Sequence, residues 1–426
     1  MPLMLPSLRP GLILYKPGSD KSAALARFAV DLMQRGWKVG GVVLDTVFEG
    51  EERIGFDLVE LDTNERVPLS RRTTTGIQVG EWQLDEIAIE LGARAIARAR
   101  ERGFDLIVID KFGPLEGRGL GFMREIERAL ESGIPTLAAA RAEFLEDWDL
   151  RVPQRAELLR PESSDLWRWW GPDRMMEELA RAVPDVPCAG ITVGFNWTMV
   201  EGPDGSGLAT TPNKGSGGCR TIAETGSLAQ RSLAELARMA LSVNPYERAI
   251  GIAAINAATN RRDMIGPSGD GLSTDPDGQN GHTVIIGRFP QLEEKVPGAI
   301  VLERNPGPDD LPAEAARLVI PGCSRLIVTA SALVNGTLPS LLEMAEGAEV
   351  SLVGRGTPLA QGLHAYGIDR LAGFIVDKPD GARAVVAEGG GARQLKPFGR
   401  NVVLDARQTQ STHDHSALQA IRSTPS

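Results

Sequence analysis

Two tracts of the chain repeat one pattern, a short apolar run followed by an amphipathic stretch, and that pattern commits each tract to parallel βαβ units. In the first tract, residues 12–15 (LILY) read as a buried strand, and residues 22–34 carry apolar side chains at helical spacing up to Gly36. Residues 39–44 form a second strand. Residues 84–102 are helical and stop at Gly103, residues 105–110 (DLIVID) are a buried strand closing on an acid, residues 121–132 are helical, and residues 135–140 are a further strand. In the second tract, strands end at Gly287, Glu303, Thr329, Gly354 and Asp377, which describes a Rossmann-like sheet. Both tracts are therefore α/β.

Between them the pattern fails. Residues 151–173 hold Pro153, Pro161 and Pro172 with Trp167, Trp169 and Trp170, and read as a linker whose tryptophans pack between domains rather than stack on a ligand, or form an interface with a second copy of the chain in a homo-oligomer. A new unit follows, with helices at 227–242 and 248–258 and a polar, Gly-rich loop over 201–218 that is too long for an ordinary hairpin connection. Residues 266–281 look like an interdomain hinge, and the polar tail from residue 408 is expected to be disordered, with His413 and His415 solvated. The division that results is 1–150, 151–173, 174–265, 266–407 and 408–426. A length of 426 residues suits two or three such domains.

Charge narrows the partners. With 46 Lys and Arg against 56 Asp and Glu, the net charge of −10 disfavours a phosphate-tracking surface and hence nucleic acid. Cys188, Cys219 and Cys323 are far apart with no CxxC pair, so neither a zinc ribbon nor a disulfide framework is expected, and a reducing cytoplasm is the simplest home. No signal peptide or spanning helix is expected either, since no run approaches the roughly 20 apolar residues that crossing a membrane needs.

The residues after the first strand, YKPGSDKSAAL, invite comparison with the phosphate-binding pattern GxxxxGK[ST]. Lys21 and Ser22 fit its last positions. Tyr15 and Asp20 stand where its glycines belong, and Gly18 sits off register. Asp110 closes the strand 105–110 where an Mg²⁺-coordinating acid belongs, and Lys111 follows where a water-activating Glu is common. With the stretch Ile109-Asp110-Lys111-Phe112-Gly113-Pro114-Leu115-Glu116, and with Gly133-Ile134-Pro135-Thr136-Leu137 leading to Arg141, residues 9–149 resemble the small P-loop nucleoside-triphosphatases. Nearer still is a bacterial relative of unknown function, often encoded beside molybdate-uptake genes, with a similarly altered loop. The resemblance implies a P-loop-like parallel sheet over 1–150 and a nucleotide with Mg²⁺ at Gly18, Lys21, Ser22 and Asp110. Turnover, binding without turnover and a structural remnant all stay open.

In the second tract Gly287-Arg288-Phe289-Pro290 lacks the GxGxxG of nicotinamide-binding folds. Glu303 ends the second strand, where an acid can accept hydrogen bonds from ribose hydroxyls. Two small, hydroxyl-rich turns follow: Thr329, Ser331, Asn335 and Thr337 in one, Gly354 and Thr357 in the other, with Arg355 adding positive charge. Such turns suit an anion or a chelate oxygen, or simply cap the next helices. These stretches, with Gly194 to Glu201 and Asn244 to Asn256, make residues 174–404 resemble a heavy-metal chelation family of unknown function. That family joins an enolase N-terminal-like α+β half, here 174–265, to a Rossmann-like half, here 266–407, with a proposed site between them. The implied ligand residues are Asn256, Asn260, Gly287, Phe289, Glu303, Thr329, Ser331, Asn335, Thr337, Gly354 and Thr357. Residues 213–218 (NKGSGG) read either as a lid over a ligand or as an untethered loop.

Direct metal ligation asks for converging thiolates, imidazoles or carboxylates, and Cys188, Cys219, Cys323, His282 and His364 show no ligand spacing. The Asn and Thr side chains are better matched to an organic metal complex, a metallophore or an oxyanion. The resulting expectation is a cytoplasmic metal-homeostasis protein. Nucleotide binding or hydrolysis by the first domain is the alternative, and a transferase using an adenosine cofactor such as S-adenosylmethionine held by Glu303 is the second.

Overall fold

The structure, a computed structural model, describes residues 8–16, 21–72, 75–212, 222, 224–272 and 281–406. The described residues divide into two compact units, one running through Trp170 and one starting at Gly171.

The N-terminal unit is built on β1 (Gly11–Tyr15), α1 (Lys21–Gln34), β2 (Val39–Glu49), β3 (Glu52–Glu60) and β4 (Arg66–Arg71). It continues with α2 (Glu86–Glu101), β5 (Leu106–Phe112), α3 (Met123–Glu131), β6 (Thr136–Arg141), α4 (Leu145–Arg151), β7 (Glu157–Leu159) and α5 (Ser163–Trp170). One sheet runs β4-β3-β2-β5-β6-β1-β7. Five strands are parallel, and β3 and β4 extend the sheet in antiparallel sense. Leu106, Ile107, Val108 and Ile109 are all fully buried, as a strand covered on both faces requires. α2 starts where the Asp85 carboxylate accepts from Ile87 N at 2.8 Å, and it buries Ala88, Ala95, Ile96 and Ala99 along one stripe. The antiparallel extension had no clear sequence signal, because its edge residues mix charges with single apolar positions.

The stretch 151–173, read as a linker, is instead part of this unit through residue 170. β7 pairs with β1, and the tryptophans of α5 pack inward: Trp167 lies edge-on to Phe28 at 5.3 Å and Trp170 edge-on to Trp37 at 5.1 Å. Trp169 donates its indole N–H to Arg9 O at 2.9 Å. All three are buried, so they present no surface to a second copy. Amphipathic spacing over eight residues containing three tryptophans was too short to separate a core helix from a plug.

The C-terminal unit opens with α6 (Met175–Arg181) and an antiparallel sheet of β8 (Gly190–Val193), β9 (Trp197–Glu201) and β10 (Ser206–Thr210). α7 (Pro245–Thr259) starts at the cap Asn244, whose side chain accepts from Tyr246 N at 3.1 Å, and it is buried almost all round from Ala249 to Ala257. The expected helix at 227–242 is broken into 3₁₀ turns around a short helix, Leu233–Ala237. A second sheet comprises β11 (Thr283–Ile286), β12 (Ile300–Glu303), β13 (Leu311–Pro312), β14 (Arg325–Thr329), β15 (Glu349–Val353), β16 (Arg370–Val376) and β17 (Gly399–Asp405), in the order β13-β12-β11-β14-β15-β16-β17. All are parallel except β17. α8 (Ser331–Asn335), α9 (Leu338–Met344) and α10 (Pro379–Ala387) complete the framework.

The expected hinge is also tied down where it is described. Val403 N donates to Pro267 O at 2.9 Å, and Leu272 is buried in the core against Ile285 and Val353. Cys219, the candidate lid 213–218, His413 and His415 lie outside the described residues.

Candidate functional sites

In the N-terminal unit β6 lies between β1 and β5, so Tyr15 and Arg141 end two neighbouring parallel strands and Asp110 stands two residues before the end of the third. α1 begins at Lys21 on the same side, while Gly18 lies outside the described residues. Asp110 is fully buried. Its Oδ1 takes the Lys21 ammonium in an ion pair; its Oδ2 accepts from Ser22 Oγ at 2.5 Å and from Leu44 N at 3.1 Å. Lys21 Nζ also donates to Ser22 Oγ at 2.9 Å and sits 4.9 Å from the Tyr15 ring centroid. The structure thus brings Lys21, Ser22 and Asp110 together.

Three further groups complete this electrostatic environment. Burial, and then the Asp110 charge, push the Tyr15 hydroxyl up to about 12, so it stays neutral. Burial and the neighbouring Lys21 push the Lys111 ammonium down from its ordinary value. Glu116 is held up by burial, although its carboxylate accepts from Gly113 N at 2.9 Å and Phe122 N at 3.1 Å. Arg141, whose place in the site only strand register could reveal, pairs with Glu143 at 3.1 Å.

In the C-terminal unit the chain runs from β11 outward through β12 to β13, then returns to β14 on the other side of β11. The strand order therefore reverses between β11 and β14, and open α/β sheets bind ligands outside the carboxyl ends of the strands at such a point. Gly287 and Thr329 stand there. Gly287 has φ of +91°, and a Cβ on it would lie 2.8 Å from Thr329 Cγ2, so the close approach demands glycine. Thr329 Oγ1 and Ser331 Oγ are 3.0 Å apart and only half-buried. Glu303 ends the adjacent β12, but its two oxygens accept from Arg288 N at 2.8 Å and Arg304 N at 3.0 Å. A cavity of about 410 Å³ opens beside it, lined by Arg288, Asn305 and Asp310, with Arg288 paired to Asp310.

Other predicted ligands are placed elsewhere or committed to the fold. Asn256 donates to Leu208 O at 2.7 Å and Gly356 O at 2.9 Å. Asn260 donates to Thr357 O at 2.9 Å and Phe374 O at 3.2 Å, and accepts from Leu359 N at 2.9 Å. These two amides clamp the turn after β15 onto α7 and β10, so their N–H groups are already engaged by backbone carbonyls. Thr357 is fully buried in that clamp. Gly354, with φ of +138°, begins the turn and donates to Ala372 O at 3.0 Å. Arg355 stacks on Phe374 at 4.0 Å and donates to Ala392 O at 2.7 Å; burial lowers its guanidinium to about 10. Phe289 packs against the core, Asn335 is exposed at the far end of α8, and Thr337 leads into α9.

Residues 11–169 match a family model of unknown function, DUF2478. Residues 176–259 and 270–405 match two models, DUF4213 and DUF364, both described as "Putative heavy-metal chelation". The nucleoside-triphosphatase THEP1 of Methanothermobacter thermautotrophicus is 32% identical over 155 residues, which are 36% of this chain and 88% of that protein. Through this segment the chain belongs to the THEP1 nucleoside-triphosphatase family. The molybdenum import ATP-binding protein ModC 2 of Bradyrhizobium diazoefficiens is 30% identical over 163 residues, 38% of this chain, and the chain spans only 18% of that relative's length. A crystal structure of a DUF364 family protein of unknown function from Desulfitobacterium hafniense is 26% identical, with a TM-score of 0.49, covering 55% of this chain and 98% of that one.

Membership in the THEP1 family implies a nucleotide and, typically, Mg²⁺. The nucleotide's phosphates suit Lys21 and Ser22 at the start of α1. A divalent ion does not suit the donor set: the Asp110 oxygens already hold Lys21, Ser22 and Leu44 N, and the next side chain along β5 is an ammonium. In the C-terminal unit, no group of three His, Cys, Asp or Glu among the described residues is placed to hold a bare metal ion. Cys188 donates to Gly190 O at 3.4 Å, and the His282 and His364 rings bond to Val319 O and Ile368 O. No helix among the described residues is long and apolar enough to cross a membrane.

Proposed function

We propose that the C-terminal unit binds a small metal complex, metallophore or oxyanion at the crevice between β11 and β14, in a cytoplasmic protein of metal homeostasis. The observation that carries this reading is the placement of Gly287 and the paired, half-buried hydroxyls of Thr329 and Ser331 at the reversal of strand order. Hydroxyls and turn N–H groups recognise the oxygen shell of a complex or an oxyanion, whereas a bare soft metal asks for thiolates or imidazoles. Equilibrium dialysis of the full chain against molybdate, ferric citrate and chelate-loaded divalent metals tests it. One of these is retained by the wild type, and Thr329→Val with Ser331→Ala weakens that retention about tenfold, the loss of about 1.4 kcal/mol. Retention of none of them, or identical retention by the double variant, removes the reading.

The N-terminal unit, on the same proposal, binds a nucleoside triphosphate. Its support is the Lys21, Ser22 and Asp110 cluster at the carboxyl end of a parallel sheet, in a segment akin to nucleoside-triphosphatases. Lys21→Ala is expected to weaken ATP binding at least about tenfold in a calorimetric titration. Unchanged affinity would remove this part.

A further inference from the structure

We infer that the N-terminal unit holds the triphosphate of a nucleotide without a divalent cation, the Lys111 ammonium supplying the positive charge that the ion would otherwise bring. The inference rests on the nucleotide-binding reading above and adds to it a mode of charge neutralisation.

Two buried or half-buried ammonium groups share this end of the sheet, and their situations differ. Lys21 is 7% exposed and already answered by Asp110. Lys111, next along β5, is half-buried and makes no ion pair or hydrogen bond among the described residues. Its charged surroundings are Lys21, Asp110, Arg141 and Glu116. Of the two acids, Asp110 is already occupied, and the Glu116 oxygens are turned to the N–H groups of Gly113 and Phe122. A second ammonium beside Lys21 with no acceptor of its own is an unfavourable arrangement that an incoming anion relieves.

A divalent cation and a polyphosphate fare oppositely here. The cation would have to displace Lys21 from Asp110 and then sit beside two ammonium groups instead of one. The polyphosphate would satisfy Lys111 directly and share the Lys21 ammonium with Asp110, whose counter-charge stays in place. Arg141, half-exposed on the neighbouring strand end, pairs with the exposed Glu143, interacts with the Tyr15 hydroxyl and lies 5.6 Å from the Phe144 ring centroid, within the same field. The side chain at 111 therefore decides which counter-charge the site takes.

Calorimetric titration of the full-length chain with ATP, once in excess Mg²⁺ and once in EDTA, tests this directly. The expected Kd in EDTA lies within about twofold of that in Mg²⁺, and Lys111→Met weakens binding in EDTA about tenfold. Lys111→Glu is expected to bind ATP only when Mg²⁺ is present. A wild-type Kd about tenfold weaker in EDTA than in Mg²⁺ overturns the inference while leaving the nucleotide reading intact. Absence of ATP binding in both buffers overturns the nucleotide reading itself. The wild-type comparison decides the matter even where a variant fails to fold, and fluorescence of Trp148, packed at 5.2 Å on Phe112 of the same strand, reports on folding of each variant.

Discussion

Asp110→Ala is expected to destabilise the N-terminal unit by about 3–5 kcal/mol, because it leaves a buried ammonium without its counter-charge. Lys21 is 7% exposed and Asp110 fully buried, so the ion pair between them cannot be replaced by water without opening the site. The substitution also strands Leu44 N, which donates to Asp110 across from β2 at 3.1 Å, and the Ser22 hydroxyl. Denaturant unfolding followed by tryptophan fluorescence measures the loss. The decisive arm is the double variant Lys21→Met with Asp110→Ala: removing both charges restores part of the stability lost with Asp110 alone. A single-variant loss below about 1 kcal/mol would show that the pair is hydrated in solution and contributes as a surface pair does.

Asn260→Leu is the corresponding change in the C-terminal unit, with an expected cost of about 3 kcal/mol. Asn260 is 1% exposed and bonds through its amide to Thr357 O, Phe374 O and Leu359 N, so a leucine of similar volume leaves three buried backbone groups without partners. For a unit of this size that cost lowers the midpoint of thermal unfolding by about 6–12 °C. Asn256→Leu is expected to cost less, since it strands only Leu208 O and Gly356 O and removes an Oδ1 that has no partner among the described residues. If Asn260→Leu melts with the wild type while abolishing retention of the ligands tested by dialysis, the clamp is a binding residue after all. The two outcomes separate the sequence reading of Asn260 from the structural one.

Much of this molecule was legible one segment at a time. The apolar run 105–110 became β5, the spacing of 84–102 became α2 apart from its first turn, and the acid closing DLIVID is buried beside the helix start that Lys21 and Ser22 mark. Periodicity and terminal residues carry such information because a helix or a buried strand is specified by neighbours within a few positions. The same reading failed where identity depends on partners far along the chain. Trp167, Trp169 and Trp170 look alike whether they plug a linker or line a core, and only their packing on Phe28 and Trp37 decides it. Asn256 and Asn260 look like ligand donors until the carbonyls of residues 208, 356, 357 and 374 are brought to them.

By itself the sequence determined two parallel-sheet tracts, the kinship of each, and the scarcity of thiolates and imidazoles that turns the metal question toward a complex or an oxyanion. Tertiary structure decided which polar groups are still available to a ligand. It closed the turn after β15 onto α7, left Thr329 and Ser331 open at the reversal of strand order, and set Lys111 unanswered beside an occupied Asp110. The reason is physical: a side chain's type is local, but the partner that satisfies it, or fails to, arrives from elsewhere in the fold.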